Sequence, residues 1–95
     1  MFSLFKKKNR FEPDQFDLEI LRIFLRRNPN GISLPTLDRD LIGKYDVEFC
    51  NEHHLIGVKL GKRLDRLVEH GYLCRTEYAM GFALSREGLK FIEGR

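Results

Sequence analysis

Hydrophobic residues recur at helical spacing in the centre of the chain, between Asn51 and Gly71. Two stripes run along this segment, one apolar and one cationic. The apolar stripe is formed by Ile56, Leu60, Leu64, Leu67 and Val68, and the cationic stripe by Lys59, Lys62, Arg63 and Arg66. Asn51 is a suitable N-cap, and Gly71 is a suitable left-handed residue after the last turn. The pattern therefore predicts one helix over residues 52–70 that buries one side and presents four cations on another.

The same periodicity predicts two helices before this central one. The first covers residues 11–27, begins near a proline and an aspartate, and has a continuous apolar face. The second covers residues 34–43, with Ser33 as its N-cap and a short strand at Ile32 before it. Apolar and acidic residues alternate over residues 44–51, which leaves a brief strand, a helical turn and a loop all open.

The C-terminal quarter of the chain predicts a hairpin followed by a helix. Residues 72–78 and 82–85 suit two short strands, and Gly81 in the intervening turn supplies a residue that tolerates positive φ. Ser85 is a suitable cap for a last helix over residues 86–93. The chain is therefore expected to be a single α+β domain over residues 12–95.

Three short segments resemble a known family when they are taken in order. They are Leu67-Val68-Glu69-His70-Gly71-Tyr72-Leu73 with the following Arg75, then Leu84-Ser85-Arg86-Glu87-Gly88, and upstream Asn30-Gly31-Ile32-Ser33. Together they resemble the recognition-helix exit, wing and post-wing segment of winged helix-turn-helix regulators of the MarR and PadR type. The resemblance implies a three-helix core, a short antiparallel wing of two or three strands, and a C-terminal helix. It also implies a small transcriptional regulator that binds DNA.

Several features depart from that family, among them the acidic residues over residues 38–52. The wing is very short, and its tip lacks the arginine that many DNA-binding wings insert into a minor groove. The chain also lacks the long flanking helices that MarR-type dimers use. These departures concern the wing contact and the type of dimer, and they leave the expected fold unchanged.

The charge of the chain is concentrated at its N-terminus. The formal net charge is +3, but residues 6–10 alone supply four cations, and the remaining residues contain 13 basic and 14 acidic side chains. Bulk charge therefore does not indicate that the folded body binds nucleic acid. We expect residues 1–11 to be a flexible basic arm that is either simply solvated or follows phosphates. Membrane contact is not expected, because Phe2, Leu4 and Phe5 bury too little area for stable residence.

A winged helix would give the cationic stripe a role in DNA binding. Arg63 and Lys59 would reach base edges in the major groove, where arginine and lysine bond to guanine acceptors. Lys62, Arg66 and Arg75 would bind phosphates. We expect a homodimer on double-stranded DNA, because a second recognition helix adds a second half-site.

The alternative is a winged-helix module that binds a protein partner and not DNA. The folded body is close to neutral, and acidic residues cluster over residues 38–52. The wing is uncharged at its tip, where Tyr78, Met80 and Phe82 provide apolar surface. A solvated basic face, paired locally with Asp65 and Glu69, is the simplest explanation if neither partner exists.

Other chemistry receives little support from the sequence. Two cysteines, Cys50 and Cys74, are too few for a disulfide framework. A zinc site that also uses His53 and His70 is not expected, because the helix between these histidines would separate them by about 25 Å. No catalytic motif, cofactor motif, signal peptide or membrane span is recognised. The sequence thus favours a cytoplasmic binding protein that is not an enzyme and uses no cofactor.

Overall fold

The computed structural model describes residues 11–27 and 30–95. Apart from Phe11, the predicted basic arm lies outside the described residues. The described part has an α+β architecture, as expected, with five helices and three strands. The helices and strands are α1 Gln15–Arg27, β1 Ile32–Ser33, α2 Leu34–Lys44, α3 Val47–Glu52, α4 Gly57–Glu69, β2 Leu73–Arg75, β3 Gly81–Leu84 and α5 Arg86–Glu93.

The three strands form one small antiparallel sheet in the order β1-β3-β2. Ile32 lies opposite Phe82, and Leu73 lies opposite Leu84. The short segment at Ile32 thus closes the sheet that the hairpin begins, so the expected antiparallel sheet has three strands. No helix in the described ranges has the length and apolarity that a bilayer crossing requires.

The core lies where α1, α2 and α4 meet the sheet. Each of these helices buries the apolar side that its periodicity predicts. The fully buried side chains include Ile20, Leu21, Phe24, Leu37, Leu41, Leu60, Leu64 and Leu67. Burial of these large side chains is the main stabilising term of the fold. It also fixes which side of α4 remains available to solvent.

Side-chain caps begin four of the helices, three of them at residues with clear sequence signals. The Ser33 hydroxyl accepts a hydrogen bond from the Thr36 amide, and the Ser85 hydroxyl accepts one from the Gly88 amide. The Asp14 carboxylate accepts hydrogen bonds from amides in the first turn of α1. The predicted caps Ser33 and Ser85 are therefore confirmed, and α1 begins at Gln15, a turn later than predicted.

The prediction of one continuous helix over residues 52–70 is wrong. Helix α3 ends at Glu52, and α4 begins at Gly57. Between them, His54 has φ 61° and Leu55 is fully buried, and Gly57, the first residue of α4, has φ 58°. A left-handed residue ends a helix, and burial of Leu55 draws the intervening chain into the core. Asn51 therefore lies inside α3 and does not cap the central helix, whereas Gly71 has the expected positive φ of 88° after α4.

The first hairpin strand is shorter than predicted, and the second has the predicted length but begins one residue earlier. Strand β2 covers residues 73–75, and the residue with positive φ in the turn is Met80 (φ 60°), not Gly81. Gly81 is needed for a different reason, since a Cβ there would collide with the Thr76 hydroxyl. Phe82, expected at the surface of the hairpin, is 4% exposed and belongs to the core.

Candidate functional site

Helix α4 has one buried side and one exposed side. Leu60, Leu64 and Leu67 point into the core. The exposed positions are Val58, Lys59, Lys62, Asp65, Arg66 and Glu69. The first two turns of this exposed side have no acidic residue, and the last two turns have two. The part of α4 best suited to an anionic ligand is therefore its N-terminal half.

Basic side chains of α4 line a cleft of about 450 Å³. The residues that line it are Asp14, His54, Lys59, Lys62, Arg63 and Arg66. Within residues 11–27 and 30–95, no carboxylate lies within ion-pair distance of Lys59, Lys62 or Arg66. These three cations are exposed, and they can reorient toward a ligand without breaking an ion pair. The cleft is thus able to bind a polyanion or a set of phosphates.

The expectation that Arg63 points outward to base edges is wrong. Its side chain is only 13% exposed, and its guanidinium faces the N-terminus of α1. The Nη1 group donates to Asp17 Oδ1 at 2.8 Å and to Asp14 Oδ1 at 3.0 Å. The Nη2 group donates to the His53 carbonyl at 2.9 Å, and Nε donates to the His54 carbonyl at 3.2 Å. Arg63 therefore joins three segments: the start of α1, the α3–α4 connection and α4 itself.

Charge and burial oppose each other in this cluster. Partial burial tends to raise the pKa of Asp14, but hydrogen bonds from the Asp17 amide and the Arg63 guanidinium outweigh it and lower that pKa. Burial tends to lower the pKa of Arg63, but hydrogen bonds to Asp17 and Asp14 raise it. Both groups are therefore ionised at neutral pH. The cluster is a fixed ion pair, and Arg63 is not a free cation of the cleft.

Arg75 also has a partner. On strand β2 its Nη2 lies 2.7 Å from Asp65 Oδ1, and both side chains are more than half exposed. Its guanidinium carbon also lies 5.5 Å from the centre of the Phe82 ring. An exposed pair of this kind contributes about 0–1 kcal/mol, so Arg75 remains able to exchange Asp65 for a phosphate. The pair joins the hairpin to the middle of α4.

The C-terminal end of α4 contacts the first described residue of the chain. The Phe11 ring stacks on the His70 ring with centroids 4.5 Å apart and an interplanar angle of 14°. The Arg66 guanidinium carbon lies 5.7 Å from the Phe11 ring centre. Phe11, assigned to the arm by sequence, thus packs on the folded body.

Two groups at the cleft have no signal in the helical periodicity. His54 belongs to the predicted central helix, but its left-handed conformation places it at the mouth of the cleft. Asp14 is recognisable in the sequence only as a helix cap.

Cys50 is buried, and burial with the nearby Asp38 and Asp46 carboxylates raises the pKa of its thiol, whereas Cys74 is exposed. Among the described residues no group of three or more potential metal ligands comes together.

The hairpin tip presents a second exposed feature, which is apolar. Tyr78 is 82% exposed and Met80 is 55% exposed. Tyr78 also lines a cleft of about 310 Å³ beside strand β1.

Comparisons of the chain with protein-family models, with curated proteins and with solved structures found no match.

Proposed function

We propose that this protein is a winged-helix protein that binds double-stranded DNA and regulates transcription. In this proposal α1, α2 and α4 are the three-helix core, α4 is the recognition helix, and the β2–β3 hairpin is the wing. The element order and the antiparallel sheet in the order β1-β3-β2 are compatible with that fold. Helix α3 is an additional short helix between the two helices of the helix-turn-helix unit.

One observation supports this function above the others. Lys59, Lys62 and Arg66 are exposed, line a single cleft, and have no ion-pair partner among the described residues. Arg63 is held by buried internal partners and is structural, whereas cations without an ion-pair partner attract phosphates at no cost in broken ion pairs. The proposed phosphate contacts are therefore Lys59, Lys62 and Arg66. Arg75 is a further contact that forms when a phosphate replaces Asp65 as its partner. Arg63 is not among these contacts.

A salt series tests the proposal. Fluorescence anisotropy with a labelled random-sequence duplex should give a binding constant that falls linearly with salt on logarithmic axes. Charge reversal of Lys59, Lys62 and Arg66 should weaken binding and reduce the slope by about 3, because each phosphate contact contributes about 0.9.

A matched control variant reverses three exposed cations outside the cleft, Arg22, Arg86 and Lys90. It has the same net charge as the cleft variant, so it separates local contact from bulk attraction. We expect it to keep the full slope. Equal loss in both variants, or no binding of the unmodified protein at low salt, would refute the proposal.

A protein-binding module is the second candidate, and the exposed hairpin tip favours it. Tyr78 and Met80 expose apolar surface of the kind that is enriched at the centre of protein interfaces. If this surface binds a protein, the double substitution of Tyr78 and Met80 by serine should abolish a stoichiometric complex that survives nuclease treatment. The same substitution should leave DNA binding by α4 nearly unchanged.

A homodimer is part of the DNA-binding proposal. One recognition helix per chain gives one half-site, and a two-fold dimer gives two half-sites separated by about one turn of DNA, roughly 34–36 Å. Sedimentation velocity with and without duplex measures the stoichiometry. Two chains per duplex with a palindromic selected site is the expected result.

A further inference from the structure

Gly61 lies in the middle of α4, where a glycine costs helix stability. At an interior position, glycine is about 1 kcal/mol less favourable than alanine. The backbone does not require glycine here, because positive φ occurs at Gly57 and Gly71 but not at Gly61. Packing does not require it either, since the nearest heavy atom to an added Cβ would be Leu34 Cδ2 at 3.8 Å, an ordinary contact distance.

Two residues next to Gly61 on the surface of α4, Val58 and Lys62, are exposed. Val58, one turn earlier, is 76% exposed and is the most exposed apolar side chain of α4. Lys62, which follows Gly61 directly, is exposed and lines the cationic cleft. A bare backbone position beside an exposed valine and a lysine allows a surface outside the protein to approach α4 closely.

We propose that the first two turns of α4 lie against base-pair edges in the major groove, with Val58 against a thymine methyl group and Gly61 permitting the close approach. This inference rests on the proposed DNA-binding function and adds a base preference to it. The N-terminal residues of a recognition helix contact base edges, and the thymine C5-methyl group is the apolar feature of the major groove. Lys59 and Lys62, which lie on the same flank of Val58, position the helix through phosphates or guanine acceptors.

Substitution of Gly61 by alanine separates a binding role from a structural one. Gly61→Ala should stabilise the fold to chemical denaturation, because alanine favours helix and makes only an ordinary contact with Leu34. The same change should weaken DNA binding severalfold, because the added methyl holds the helix away from the duplex. Gly43→Ala in α2 is the matched control, since nothing lies within 4 Å of its added Cβ. That control should stabilise the fold without changing affinity.

Replacement of thymine by deoxyuridine tests the Val58 contact. The unmodified protein should bind a short duplex of alternating A·T pairs about fourfold more tightly than the same duplex with deoxyuridine, the value of one buried methyl group. Val58→Ala should lose most of this discrimination, because its shorter side chain leaves only one methyl group near the thymine. The variant also controls for any change in duplex shape, because it keeps every cation.

The outcomes distinguish the two proposals. Discrimination that is mostly lost in Val58→Ala, together with a stabilised but weaker-binding Gly61→Ala, supports the inference. Salt-sensitive binding without thymine discrimination, or a Gly61→Ala variant with unchanged affinity or lower stability, overturns it and leaves the DNA-binding function intact. Absence of any DNA binding overturns both.

Discussion

Removal of the Arg63 side chain should destabilise the fold strongly. The Asp17 side chain is 4% exposed, and Arg63→Ala removes the cation that lies 2.8 Å from its carboxylate. The carbonyls of His53 and His54 also lose the guanidinium as a donor. The Asp14 amide still donates to Asp17 Oδ2, but no other cation lies within ion-pair distance of Asp17 in the described part of the chain.

The magnitude follows from the burial of each partner. Removal of one member of a buried ion pair costs about 3–5 kcal/mol. Asp14 adds little, because its side chain is 53% exposed and solvent screens its charge. We therefore expect a loss of about 3 kcal/mol, at the low end of that range. For a domain of this size each kcal/mol lowers Tm by roughly 4–8 °C, so Tm should fall by roughly 12–24 °C.

Urea denaturation followed by circular dichroism measures this loss. Lys62→Ala is the control, since Lys62 is exposed and has no ion-pair partner in the described part of the chain, and its effect should stay within about 0.5 kcal/mol. Arg63→Lys should give an intermediate loss, because one ammonium group does not reproduce the planar fork. A loss below about 1 kcal/mol in Arg63→Ala would contradict the structural role and return Arg63 to the set of cleft cations.

Three further substitutions have defined outcomes. Asp14→Asn keeps the helix cap but removes the charge. Because the pKa of Asp14 in the folded state is lowered from 3.8, the stability that the ionised carboxylate contributes is present above pH 3.8 and is lost as pH falls through the folded-state pKa. Denaturation curves of the two proteins should therefore differ at pH 7 and converge in acid. Gly88→Ala should cost about 1–3 kcal/mol in urea, because its Cβ collides with the Tyr72 carbonyl. Gly57→Ala should cost about 1–2 kcal/mol by the same assay, because φ is 58° there, although its Cβ meets no atom within 4 Å. An unchanged urea midpoint in either glycine variant would contradict the reason given for it.

Periodicity predicts the buried faces of the long helices, whereas Leu55 and Phe82 join the core without such a signal. Leu60, Leu64 and Leu67 are buried because one face of a helix is the only apolar surface that α4 can turn inward. The helix caps Ser33 and Ser85 depend on contacts three residues away, which sequence displays directly. Local interactions of this kind leave their pattern within a few residues of the chain.

The role of Arg63 was not predictable from the same pattern. Lys62 and Arg63 are adjacent cations of the same stripe, yet one is exposed and the other is clamped. The difference arises from Asp14 and Asp17, which are 49 and 46 residues away in the chain. A helical wheel has no information about partners at that separation.

The interruption before α4 had a weak signal that periodicity concealed. Gly57 tolerates a helical conformation as well as a left-handed one, so the apolar stripe could be drawn through it. Leu55 is fully buried in the core, and burial against distant parts of the chain is information that helical periodicity does not contain. The N-cap Asp46, whose carboxylate accepts a hydrogen bond from the Phe49 amide at 2.8 Å, was the local indication of a separate short helix.

The stack of Phe11 on His70 places an aromatic ring beside a cation of the cleft. The Arg66 guanidinium carbon lies 5.7 Å from the centre of that ring, so a phosphate that draws Arg66 into the cleft also draws it away from Phe11. Occupation of the cleft is therefore linked to the packing of Phe11, and by reciprocity a loss of that packing changes the affinity of the cleft for its ligand.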